Sequence, residues 1–167
     1  MTDVATWSQL LSSIAVIGTL IYLAVEIRQN TAAEHAATRL GINNASTENL
    51  YKVVDHPEIF VWFAQDDPLT PEQSSRLHSW LCAHVREIEY SWQQYENRLI
   101  EGYYWEGEKA VIQAVLGYPR TRSWWLEIGR QIFGPDFVDE VDRLVKDQPY
   151  STLIPKMLAW GARKMAA

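Results

Sequence analysis

Charged, polar and apolar positions are arranged along this chain in two distinct ways. From residue 4 to residue 25 no charged side chain occurs, and ten of those 22 positions are Leu, Ile or Val; Glu26, Ile27 and Arg28 then close the run. About 20 residues at 1.5 Å per residue cross the hydrocarbon core of a bilayer, so the run predicts a membrane-spanning helix over residues 7–27. Trp7 at one end, and Tyr22 with Arg28 at the other, stand where interfacial rings and snorkelling cations are favoured. A cleavable signal peptide would need a basic segment before the run and an A-x-A site after it. Asp3 is the only charge before the run, and no A-x-A follows. Arg28, Arg39 and Lys52 come after the run and no Lys or Arg precedes it, which predicts an inner-membrane, single-pass protein with its C-terminus in the cytoplasm.

Beyond residue 30 the pattern becomes amphipathic. The alanine-rich stretch to His56 continues the first helix as a stalk. "HPEIFVWFAQ" predicts a second helix, ended by Asp66, Asp67 and Pro68. Thr70-Pro71-Glu72-Gln73 then has the form of an N-cap with proline at the first helical position and a capping-box glutamine. From there Leu77, Leu81, His84, Ile88, Trp92, Tyr95 and Leu99 recur every three or four residues and predict one long helix. Gly102 and Gly117-Tyr118-Pro119 bracket another helix, one more passes through Trp124 and Ile128, and Gly134-Pro135-Asp136 starts the next, with Phe137, Val141 and Leu144 on its buried side. No stretch alternates as a strand does. The expected fold is all-α: an N-terminal transmembrane helix continuing into a stalk and followed by a small helical bundle, divided into a membrane anchor (residues 1–30) and a cytoplasmic helical domain (residues 31–167).

Composition alters this picture in three places. The net charge of −6 argues against nucleic acid, whose phosphates call for a basic face. Cys82 is the single cysteine, which excludes an intramolecular disulfide and suits a reducing compartment. Twenty aromatic residues, eight of them tryptophan, give a small domain enough apolar area for a core and could also line a pocket.

Candidate chemistry is sparse. The chain contains no G-x-S-x-G, H-E-x-x-H, P-loop, G-x-G-x-x-G or C-x-x-C, so no catalytic residue, cofactor or metal is expected. His84 and Glu87 have a spacing that suits a metal pair, but Glu-x-x-His is absent and His84 reads as a core or boundary residue. Glu87, Glu89, Glu96 and Glu101 read as a solvated acidic face, and Cys82 as a small core residue.

Three surfaces remain. Ser8, Ser12, Ala15, Thr19, Tyr22 and Glu26 fall on one side of the first helix, a small or polar stripe suited to contact with another membrane helix. Arg120, Arg122, Trp124 and Trp125 at a helix start could hold an anion, or the indoles a choline-like cation. Lys156, Trp160, Arg163 and Lys164 place positive charge on the C-terminal segment, as in a helix lying on an anionic membrane surface or closing the bundle against the acidic stretch 57–101.

"LIYLAVEIRQNT", with the later "PRTRSWW" and "FGPDFVDEV", resembles a family of uncharacterised bacterial proteins with one N-terminal membrane helix and a small helical domain; Glu26 stands where that family has glutamine. The resemblance implies the architecture and brings no catalytic residues. Two functions follow: a membrane-anchored interaction or assembly module, as a homo-oligomer or with a membrane-protein partner, or a membrane-tethered small-ligand binder with an aromatic-lined pocket. An apolar cavity lined by several of Trp80, Trp92, Trp105, Trp124 and Trp125 would favour the binder, and a filled core the assembly module.

Overall fold

The computed structural model describes residues 2–146 and 148–161, the side chains of residues 2–6, 8, 154, 158 and 161 excepted. Seven α-helices and one short 3-10 turn follow one another, with no strand among the described residues. They are α1 (Thr2–Asp55), α2 (Glu58–Ala64), α3 (Pro71–Glu96), α4 (Gly102–Val115), α5 (Pro119–Glu127), the 3-10 turn (Gly129–Gln131), α6 (Pro135–Val145) and α7 (Leu153–Gly161). The chain divides into two compact units, residues 1–40 and residues 41–167, so the last four turns of α1 belong to the second.

In the first unit, α1 is long and apolar enough to cross a membrane. Its Leu, Ile and Val side chains from Leu10 to Ile27 are exposed. Two of its hydroxyls are satisfied within the helix: Ser13 Oγ donates to Gln9 O and Thr19 Oγ1 to Ala15 O, each at 2.9 Å.

In the second unit, the capping box at Thr70 starts α3 as its sequence predicts: Gln73 N donates to Thr70 Oγ1 at 3.2 Å and Thr70 N to Gln73 Oε1 at 2.8 Å. The apolar period suggests a helix reaching Leu99, but α3 ends at Glu96. Leu99 N donates to Gln94 O and Arg98 N to Tyr95 O, the Schellman arrangement, with Arg98 at φ 60° in the left-handed position that glycine usually fills. That turn sends the chain back as α4, which packs along α3.

The core fills the space among these helices. Leu81, Val85, Ile88, Trp105, Ile112, Leu116, Trp125, Phe137 and Val141 are buried almost completely. Trp125 stacks on Phe133 at 5.7 Å and meets Phe137 edge-on at 6.5 Å. Trp105 stacks on Tyr95. The aromatic richness of the chain is therefore mainly core. At Gly117 the loop before α7 comes so close that a Cβ would lie 2.7 Å from Ser151 Cβ; Ser151 N donates to Gly117 O there.

Candidate functional site

One cavity in the second unit brings together polar groups that sequence reasoning treated as separate. Three helices each contribute a stripe at three- and four-residue spacing: Ser46, Asn49, Leu50 and Val53 from α1, Trp80, His84 and Glu87 from α3, and Glu108, Val111 and Val115 from α4. Thr47, Phe60, Ala114 and Leu153 complete the wall. The space measures about 450 Å³, the size of a small-molecule site, and most of its lining is apolar.

Its polar end centres on Glu87, whose side chain is only 8% exposed. Among the described residues no Lys or Arg is paired with it. The carboxylate instead accepts hydrogen bonds from Ser46 Oγ at 2.5 Å and from the Asn49 amide nitrogen. A carboxylate can only accept, so Asn49 must turn its NH2 toward Glu87, which leaves its Oδ1 buried and without a donor. Trp80 Nε1 and His84 Nδ1 are likewise buried and unpartnered. Buried polar atoms are normally paired. Three orphans around one cavity mark a place where a ligand can supply the missing partners.

The titratable groups show the same environment. Burial pushes Glu108 up from its ordinary 4.5 to about 7, the Glu87 charge beside it pushes the same way, and the Ser91 hydroxyl opposes them. Near neutral pH Glu108 is therefore only partly ionised. His84 Nδ1 lies 3.9 Å from Glu87 Oε2, beyond hydrogen-bond length, and the ring stacks on Trp80 at 4.8 Å. Burial lowers the His84 pKa more than Glu87 raises it, which keeps the ring neutral. Among the described residues no group of three or more His, Cys, Asp or Glu is arranged to hold a metal ion.

Glu87 and Glu89 do not form the solvated acidic face expected from their spacing. Glu89 is 3% exposed, pairs with Arg86 and accepts from Gly134 N at 2.7 Å, holding the start of α6 against α3. Long acidic side chains at helical spacing look exposed in a sequence because their neighbours across the bundle are not visible there.

The other expected positions are distributed as follows. Arg120 donates to the carbonyls of Trp62 and Asp67, and Arg122 to those of Leu116 and Gln148, with Tyr150 under its guanidinium. Each arginine thus ties a helix end to a loop. Trp125 Nε1 donates to Asp142 at 2.8 Å from within the core. Trp124 Nε1 donates to His78 Nδ1 at 3.0 Å, and Trp124 and Arg120 share a shallow groove that Arg122 and Trp125 do not reach. The His78 ring also touches Cys82, whose thiol is pushed up by burial, with Arg86 opposing. Along the stripe of α1, Ser12, Ala15, Thr19, Tyr22 and Glu26 are all exposed; the Ser8 side chain lies outside the described residues. Lys156 and Trp160 are exposed on α7, while Arg163 and Lys164 lie outside the described residues.

Among the tryptophans named as possible pocket walls only Trp80 lines the cavity, and Trp92, Trp105, Trp124 and Trp125 pack in or against the core, so the pocket of several tryptophans expected of a binder does not form. A detectable signal for the site was the polar set Asn49, Glu87 and Glu108, each in register with apolar neighbours on its own helix. Which helices face one another was not readable. Comparison with known proteins adds no constraint: no family model matches the chain, and neither does any curated protein or solved structure.

Proposed function

We propose that this chain is a membrane-tethered binding protein that takes a small, largely apolar molecule into the cavity between α1, α3 and α4. The observation that carries this reading is the cavity of about 450 Å³ whose wall holds buried polar atoms without partners. A pocket of that size with few convergent polar groups is the usual form of a small-molecule site. The length and apolarity of α1 and the resemblance to bacterial single-span proteins support an inner-membrane anchor, and the bases after the run support a cytoplasmic C-terminus.

The binding reading is tested by thermal denaturation of the full chain in nanodiscs against a panel of small apolar compounds, since a ligand at a hundred times its Kd stabilises by about 2.7 kcal/mol. Val111→Trp, at a half-open position on the cavity wall, should abolish the stabilisation without lowering the unliganded melting temperature. A panel with no stabilising compound, or equal stabilisation of the variant, would count against the site. For the anchor, the chain should resist carbonate extraction, and a reporter that fluoresces only in the cytoplasm should be bright when fused after Ala167. Release by carbonate would remove it.

The assembly reading draws on a different observation, the exposed stripe of Ala15 and Thr19. Because the Thr19 hydroxyl is bonded to its own helix, the stripe offers close approach of backbones in place of hydrogen bonds. Leucine at Ala15 and Thr19 should then lower self-association or partner recovery, and leucine at Ser13 should not; equal effects would remove the seam.

A further inference from the structure

We propose that the ligand of this cavity is an amphiphilic primary amine, bound as its ammonium with the head among Glu87, Glu108 and Asn49 and the hydrocarbon body along Leu50, Val53 and Val115. This rests on the reading of the cavity as a ligand site and names the chemistry the site selects.

Charge supplies the first argument. Among the described residues, His84, Glu87 and Glu108 are the titratable groups on the wall, and no Lys or Arg lines it. The bases near them in sequence turn elsewhere: Arg86 to Glu89 and Ile132 O, Lys109 to Glu106 and the Trp105 ring, and Lys52 to Glu48. A fatty acid or a phosphate would meet carboxylates with no cation to answer it. A cation would complete the buried charge of Glu87, which among the described residues the neutral donors Ser46 and Asn49 support.

Hydrogen-bond inventory supplies the second. An ammonium has three donors and no acceptor. The polar end of the cavity is rich in acceptors: the remaining lone pairs of Glu87, the Glu108 carboxyl, and Asn49 Oδ1, which belongs to a residue 8% exposed and has no donor. The neutral Nδ1 of His84, also unpartnered, can serve as a further acceptor.

The rings narrow the class further. A quaternary ammonium has no N–H and is held by open aromatic faces. Trp80 has one face stacked on His84 with planes 19° apart and is flanked by Phe63 at 5.3 Å and Phe60 at 6.4 Å. The geometry therefore suits a head that donates hydrogen bonds.

Binding is coupled to a proton. An ammonium placed between the two carboxyls takes the position of the proton that Glu108 holds below about pH 7. Around Glu108, α3 presents Glu87, His84 and Ser91, and α1 presents Ser46 and Asn49. On α6, Asp142 is engaged by Trp125 and Arg130, Glu140 by Arg143, and α4 meets that helix through Gln113 Nε2 on Leu144 O. Alkyl ammonium groups stay charged to about pH 10, so binding should tighten from pH 5.5 to pH 8 and release a proton at pH 6.5.

The test titrates n-octylamine, octanol, octanoate and octyltrimethylammonium into the full chain in phosphatidylcholine nanodiscs, by calorimetry in two buffers of different ionisation enthalpy. Octylamine should bind about tenfold or more tightly than the other three. Glu108→Gln, an isosteric change, should weaken it about tenfold at pH 8 and abolish proton release, with the helical melting curve retained. Equal binding of all four, or tighter octanoate, overturns the amine while leaving the cavity a ligand site. Absence of binding by any of them, or identical octylamine uptake by wild type and Val111→Trp, overturns the amine inference; for the site itself the compound panel decides. Weaker octylamine binding in nanodiscs containing phosphatidylethanolamine keeps the ammonium and names a lipid as its source, whereas equal binding names a free amine.

Discussion

Glu87 and Glu89 stand two residues apart on α3, and both side chains are nearly closed off from water. Glu89 has a cation, Arg86, and a backbone donor, Gly134 N, so its charge and its lone pairs are answered by the protein itself. Among the described residues Glu87 has only neutral donors; it faces a second carboxyl at Glu108 and borders open space. A buried carboxylate with a built-in partner is architecture, because removing the partner is strongly unfavourable. A buried carboxylate held by dipoles alone beside a cavity has its charge reserved for something that comes and goes.

The widest separation between the two should appear in stability. Glu89→Ala leaves Gly134 N without its acceptor and frees α6 from α3, and should lower unfolding free energy by about 2–3 kcal/mol in urea denaturation followed by tryptophan fluorescence. A loss below that seen for Glu87→Gln would reverse the assignment.

The pH profile sharpens it next. Folding raises Glu108 from 4.5 to about 7, so between those values the folded chain holds more protons than the unfolded one, and stability falls as pH rises through that window. Folding lowers His84 below 6.5, so the unfolded chain takes up protons first and stability falls as pH drops through 6.5. The two slopes oppose each other in wild type. Glu108→Gln should expose the His84 slope, with stability rising as pH rises, and His84→Gln should expose the Glu108 slope, with stability falling. Because Glu108 is only half-buried, the expected change is about 1–2 kcal/mol across the window. Parallel profiles for the two variants would show that these groups do not share one environment.

The smallest effect should belong to Glu87→Gln. It loses an anionic acceptor for Ser46 and Asn49 but relieves repulsion with Glu108, and stability should change by less than about 1 kcal/mol. The same variant should move the Glu108 titration, followed by carboxyl carbon NMR, below its wild-type midpoint of about 7. An unmoved midpoint would mean that burial alone raises it.

Much of the fold was legible in the residues themselves. The charge-free run, the capping box at Thr70 and the glycine-proline punctuation at Gly117 and Gly134 are local signals, and each is followed by the helix it announces. The far end of α3 was less legible, because apolar spacing reports burial whether or not the backbone is helical; half-buried Leu99 continues the period from within a turn. Arg120 and Arg122 read as an anion site because a sequence shows their charge and hides the carbonyls that take up their donors. The cavity was hidden for the same reason. Asn49, Glu87 and Glu108 each look like ordinary helix surface until three helices are set side by side.

The turn at Arg98 has a consequence for descent. Glu87 stands as many residues before Asn97 as Glu108 stands after Arg98, and the same counting joins His84 to Val111 and Trp80 to Val115. The cavity wall is thus a reflection across one link, and an added residue there would rotate α4 by about 100° against α3. Length in this link is constrained more tightly than composition. A homologue can exchange Asn97 or Leu99 freely and keep the site, but one that has gained or lost a single residue there will present a different wall, even with every carboxylate inherited.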